Sequence, residues 1–162
     1  LREVAQEFSN LVALEHWESE IVRLLQLARE VAAEYDVLRT RGVAMRVVGE
    51  EAEIVADTQW IRRALRHLLE NSARVLEGHD GEIVVAVRRL HGQVMLSVRD
   101  TGGGVASELL GRLFEPHFST TSEGSGLGLA VVQRVAARAG GKAEASNVDG
   151  GLEVRLLFPA RA

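Results

Sequence analysis

The chain has 162 residues, 46% of them hydrophobic, and a mean hydropathy of +0.03, enough for one soluble domain with its own core. Its formal net charge of −4 is spread among interspersed acidic and basic residues, leaving no basic stripe of the kind that nucleic-acid binding needs. With no cysteine, a disulfide framework and a thiolate metal site are excluded, and no apolar run approaches the roughly 20 residues that span a bilayer.

In chain order, "LREVAQEFSNLVAL" sets Leu1, Val4, Ala5, Phe8, Leu11 and Val12 on one helical face in need of a partner. A second helical pattern follows in Ile21, Leu24, Leu25, Ala28, Val31, Ala32 and Tyr35, with Ser19 as its expected N-cap and Glu20 in its first turn. "GVAMRVV" alternates as a strand does. "EIVAD" reads as another, leading to Asp57, which can cap a long helix from about Thr58 to Leu76. "EIVVAVRRL" and "QVMLSVRD" read as a hairpin turning at His91 and Gly92. A further helix runs from about Gly128 to Ala139 and stops at Gly140 and Gly141, where glycine suits a left-handed C-cap. "KAEASNV" and "LEVRLLF", joined through Asp149, Gly150 and Gly151, are the last strands. Grouped helices and antiparallel strands predict an α+β fold with helices layered on one face of a mixed sheet.

Three polar features stand out. His67, Asn71 and Arg74 share one stripe of the long helix, opposite Ile61, Leu65, Leu68, Ser72 and Leu76; on spacing alone a solvent face is the simpler reading. Gly124, Gly126 and Gly128 precede an apolar helix, where glycines let backbone N–H groups approach a phosphate, although a flexible loop has the same composition. Neither a Walker loop nor a Rossmann fingerprint is present. In "DTGGGV", Asp100 ends a strand, where its carboxylate can accept a hydrogen bond from an exocyclic amine while the glycines leave room for a flat ring. An Asp-containing turn is the competing reading of that stretch.

In order and spacing, "LRHLLENSARVL", "DTGGGV", "LFEPHFSTTSEG" and "GSGLGLAVV" resemble the N, G1, F and G2 boxes of the catalytic ATP-binding domain of sensor histidine kinases, within the GHKL ATPase superfamily. The resemblance runs from about Ser19 to the C-terminus. "EFSNLVAL" is similar to the end of the dimerisation and histidine-phosphotransfer hairpin in the nitrogen-regulation branch of these kinases. The implied fold is a Bergerat-type two-layer α/β sandwich. The implied division is residues 1–16 as hairpin remnant and linker, and 17–162 as the catalytic domain.

By this resemblance Asn71 ligates Mg²⁺ through its side-chain oxygen, and Arg74 contacts phosphate where the family often has lysine. Asp100 accepts the adenine amino group, and Gly102 and Gly104 shape the pocket. Thr120, Thr121, Gly124, Ser125, Gly126, Leu127 and Gly128 complete the nucleotide-binding set, with Gly126 and Gly128 against the phosphates. Residues from about Ala106 to Ser125 form a lid carrying Phe114 and Phe118, for which core packing is the simpler role.

The chain departs from the family pattern at His67, where the first N-box asparagine is common, and at Thr121, where a lid lysine is common. Hydrolytic relatives carry a glutamate at the position of His67, so autonomous ATP hydrolysis is expected to be feeble. None of His16, His67, His79, His91 and His117 stands in the acidic setting of the family's phosphoacceptor. The chain begins with Leu1, and the acceptor is expected on a preceding helix of a longer protein. The expected function is positioning of Mg-ATP for transfer of the γ-phosphate to that histidine, and onward to the receiver domain of a response regulator. A cytoplasmic location is implied, with a parent protein open to membrane anchoring. An anti-sigma-type protein serine kinase and a nucleotide- or partner-binding module without phosphotransfer are the alternatives.

Overall fold

The computed structural model describes residue 14, residues 16–116 and residues 128–161. Its main sheet has five strands in the order β2 (Val43–Gly49), β4 (Gly81–Leu90), β5 (Gln93–Asp100), β7 (Gly151–Pro159), β6 (Lys142–Val148). Only the β2–β4 pairing is parallel, so the sheet is mixed as expected. Helices α1 (Leu24–Ala33), α2 (Thr58–Val75) and α3 (Gly128–Arg138) pack on one face.

That layering follows from period-two burial. Ile83, Val85 and Val87 of β4, Val94, Leu96 and Val98 of β5, and Leu152, Val154, Leu156 and Phe158 of β7 are buried in the core. The intervening residues Arg46, Glu82, Arg88, Arg99 and Glu153 line the opposite face, interleaved with Val48, Val84, Ala86 and Met95. On the helix side, Ile61, Leu65, Leu68, Ser72 and Leu76 are all buried, as the stripe on α2 predicts. The β4–β5 hairpin turns at His91 and at Gly92, whose φ of +73° favours glycine, and Leu90 faces Gln93 across it. At the end of α3, Gly141 N–H donates to the Ala136 carbonyl at 2.8 Å and Gly140 N–H to Ala137, a Schellman cap with Gly140 at φ +82°.

One expectation fails. Glu20–Arg23 is not the first turn of a helix but strand β1, paired antiparallel with β3 (Glu53–Ala56), Ile21 facing Val55. Helix α1 therefore starts at Leu24, and Ser19 does not cap it; Ser19 Oγ instead accepts from Trp17 Nε1 at 3.1 Å. The cap comes from a distant residue: Glu51 accepts from the amides of Leu25 (2.8 Å) and Gln26 (3.1 Å). Its carboxylate at a helix N-terminus does the work of a local Ser or Asp. The helical face expected at Leu1–Val12 lies outside the described residues.

Asp57 caps α2 as expected, its Oδ1 accepting from Gln59 N–H (3.0 Å) and Trp60 N–H (3.2 Å). Its other oxygen accepts from the Glu18 amide at 2.8 Å. Trp60 Nε1 donates to the His16 carbonyl at 3.2 Å, and the Arg138 guanidinium lies 5.5 Å from the Trp17 ring centroid. The incoming chain at 16–18 is thus fastened to the start of α2 and the end of α3.

Candidate functional site

Asp100 is the last residue of β5, the central strand, and at 2% exposure it is a buried carboxylate at the strand's C-terminal end. Such a group is costly unless its oxygens are occupied. Oδ1 accepts from Gly102 N–H at 2.8 Å, closing an Asx turn, and Oδ2 accepts from Ser72 Oγ at 3.0 Å. Ser72 belongs to α2 and follows Asn71 directly, so one bond ties the carboxylate to the helix carrying the polar stripe.

The glycines after Asp100 differ in what they permit. A Cβ on Gly102 would lie 2.6 Å from Val75 Cγ2 and 3.1 Å from Asp100 Oδ1, so the chain passes against α2 only without a side chain. Gly104, at φ +72°, adopts a left-handed conformation, and a Cβ there would overlap the Asn147 carboxamide. Gly103 has φ +91° with open space beside it. The stretch from Asp100 to Val105 is thus a close-fitting loop whose third side is the β6–β7 hairpin. Gly103 N–H donates to the Gly150 carbonyl at 3.0 Å, and Asn147 holds both backbone groups of Val105.

Asn71 is half-buried on α2. Gly128 opens α3, and a Cβ there would lie 3.2 Å from His67 Nδ1, so the start of α3 abuts the same stripe one turn before Asn71. The structure therefore sets Asp100 and Gly102 against the C-terminal half of α2, the helix that carries Asn71, with Gly104 against the β6–β7 hairpin and Gly128 against the turn before Asn71. Arg74, also half-buried, lines a groove with Tyr35, Leu38, Arg41 and Glu70. Tyr35 OH donates to Glu70 at 3.3 Å, and burial first, then the Glu70 charge, raises its pKa above the ordinary phenol value.

Thr120, Thr121, Gly124, Ser125, Gly126, Leu127 and Phe118 lie outside the described residues. Within the expected lid, Ser107–Arg112 form a 3₁₀ helix, Leu113 is buried, and Phe114 packs partly buried against the core. Sequence reading missed Ser72, assigned simply to the buried side of α2, and Asn147 with Gly150 in the last hairpin. A hydroxyl in an otherwise apolar stripe was the available signal for Ser72; nothing local marks Asn147.

Residues 56–162 match the family of histidine kinase-, DNA gyrase B- and HSP90-like ATPases, and the chain belongs to it. Within that family its similarity is to the ATP-binding catalytic domain of sensor histidine kinases. The sensor histidine kinase ZraS of Klebsiella oxytoca is 34% identical over 160 residues, covering 93% of this chain and 33% of that protein. The chain thus spans about a third of the length of this curated relative. The catalytic domain of the histidine kinase ThkA superposes with a TM-score of 0.81 at 26% identity, covering 88% of this chain and 96% of that one. Full-length ShkA, solved in complex with AMPPNP, superposes at 0.85 with 26% identity, covering 99% of this chain and 36% of that one. Among the described residues no helix is long and apolar enough to cross a membrane.

Proposed function

We propose that this chain binds Mg-ATP between the Asn71 face of α2 and the Asp100 loop, and presents the γ-phosphate to a histidine on a dimerisation hairpin. The observation that carries this reading is the buried Asp100 carboxylate, oriented by Gly102 and Ser72 beside close-approach glycines, in a chain of this family. A carboxylate so fixed accepts from an exocyclic amine and repels a carbonyl oxygen, which favours adenine over guanine. AMPPNP bound to the similar kinase ShkA supports a nucleotide at this fold.

The donor chemistry fits Mg²⁺. The described residues hold no group of three or more His, Asp or Glu that would cage an ion. A single amide oxygen such as that of Asn71 suits an ion that draws its remaining ligands from phosphate oxygens and water. When bound, the ion neutralises charge on the transferring phosphate. Gly128 would present the α3 N-terminus, and Arg74 a guanidinium, to the phosphates. Thr120, Thr121, Gly124, Ser125, Gly126 and Leu127 would complete the cradle.

In the transfer, the bond from the γ-phosphorus to the bridging oxygen breaks, ADP leaves, and a P–N bond forms as the imidazole loses its proton. This chain contributes positioning and charge neutralisation. We assign residues 17–162 to the catalytic unit and 1–16 to the linker and hairpin remnant, in keeping with the anchoring of Glu18 on Asp57. The receiver domain of a response regulator is the proposed onward acceptor, and the cytoplasm the proposed setting.

Calorimetric titration with AMPPNP, with and without Mg²⁺, tests the site. Saturable Mg-dependent binding is expected, weakened by at least tenfold in Asn71→Ala and in Asp100→Ala. Binding unchanged in both variants would refute the assignment. A phosphoacceptor hairpin added in trans then tests transfer.

A further inference from the structure

We propose that Asn147, on edge strand β6, is a positioning residue that sets the purine specificity of the Asp100 loop; the proposal rests on the adenine reading of Asp100 given above. Its carboxamide pairs with one backbone unit in both directions. Oδ1 accepts from Val105 N–H at 2.9 Å, and Nδ2 donates to the Val105 carbonyl at 2.7 Å. This is the pairing one strand residue makes with another, supplied by a side chain.

The first half of the loop between Asp100 and Val105 is held by the Gly102 N–H bond to Asp100 Oδ1 and by Thr101 Oγ1, which accepts from Glu82 N–H at 3.0 Å, whereas Gly103 to Val105 depend on the β6–β7 hairpin. The loop has no regular secondary structure, contains three successive glycines, and Gly103 and Gly104 stand at positive φ. Glycines at such positions carry a large conformational freedom that something must remove. The β6–β7 hairpin removes it at three points: Gly151 presses against the Asp100 backbone, the Gly150 carbonyl accepts from Gly103, and Asn147 clamps Val105. Of these only Asn147 acts through its side chain, and it is exposed, outside the hydrophobic core. The close approach of Gly104 to the same carboxamide fixes the loop's path as well as its end. Asn147 thereby sets where the glycine backbone stands relative to the Asp100 carboxylate, and with it the width left for a purine.

The test is titration of the full chain with Mg-AMPPNP and Mg-GMPPNP, for the parent, Asn147→Ala, Asn147→Asp and Asp100→Ala. Loss of two hydrogen bonds that order the loop is expected to weaken AMPPNP binding by about tenfold. GMPPNP binding should change less, so the adenine-to-guanine preference narrows. Asn147→Asp preserves shape but sets a carboxylate against the Val105 carbonyl, and should be as poor as the alanine variant at neutral pH; it carries the same test should the alanine variant lose its fold. A merely structural role would weaken both nucleotides equally and leave the preference intact. An unchanged preference in the Asn147 variants, with Asp100→Ala abolishing it, would overturn the proposal and leave the adenine reading standing. Binding indifferent to Asp100→Ala, or no saturable binding by the parent, would overturn the adenine reading and this proposal together.

Discussion

Ser72 Oγ donates to Asp100 Oδ2 at 3.0 Å, and both residues are at least 97% buried, so a single side-chain bond joins α2 to the end of β5. The Ser72→Ala substitution leaves a buried carboxylate oxygen without its donor. The expected cost is about 1–3 kcal/mol in urea unfolding, accompanied by weaker AMPPNP binding. If neither quantity moves, the carboxylate is held by Gly102 alone.

Gly151 offers a steric counterpart. A Cβ there would overlap the Asp100 carbonyl oxygen, a backbone atom that no side-chain rotation can clear. Gly151→Ala should cost about 1–3 kcal/mol and lower the thermal midpoint by several degrees. Gly111→Ala, with nothing within 4 Å of the added carbon, is the matched control and should shift it little. Equal midpoints for the two variants would contradict the packing described at Asp100.

Asp57 serves two partners with two oxygens. Asp57→Ala removes the α2 cap and the anchor of the Glu18 amide, and should destabilise by about 1–2 kcal/mol. Asp57→Asn can keep one acceptor oxygen toward the helix, and should recover part of that loss in the same unfolding measurement. Identical losses in the two variants would place the energy in the carboxylate charge rather than in the hydrogen bonds.

Tyr35 is the sole tyrosine, so tyrosinate absorbance reads it directly. Its folded-state pKa is raised, by burial and then by Glu70. The linked stability is therefore fully present below the unfolded value of about 10 and is lost as pH rises through the folded pKa. The native chain should titrate above its urea-unfolded form, and Tyr35→Phe should lose less stability on going alkaline. Coincident native and unfolded titrations would refute the Tyr35–Glu70 contact.

The parts of the fold that could be read beforehand are those whose causes are local. Alternation in "EIVVAVRRL", Asp57 before an amphipathic run, and paired glycines after Arg138 each specify their element within a few residues. Glu20–Arg23 escaped because Ile21 fits helical spacing with Leu24 and Leu25 as well as strand alternation, and pairing with Glu53–Ala56 decided between them. The Glu51 cap and the Asn147 clamp are also products of tertiary approach, between residues about 26 and 42 positions from their partners. At the candidate site, Asn71, Asp100 and the glycines stand in the sequence as boxes in order, whereas of the residues that hold the Asp100 loop, Ser72 shows only as a hydroxyl in an apolar stripe and Asn147 carries no local mark.

Fastening of residues 16–18 to the head of α2 gives that helix a mechanical character. Between Asp57 and Asn71 it is a stiff rod roughly 21 Å long, at about 1.5 Å per residue. Helices of this length curve only gently in the absence of proline, and α2 contains none. The His16 and Glu18 contacts therefore sit at one end of an uninterrupted helix that carries Asn71 and Ser72 about four turns further on. The Arg138 contact on Trp17 joins the same short stretch to the C-terminal end of α3, so residues 16–18 touch both helices that flank the candidate site.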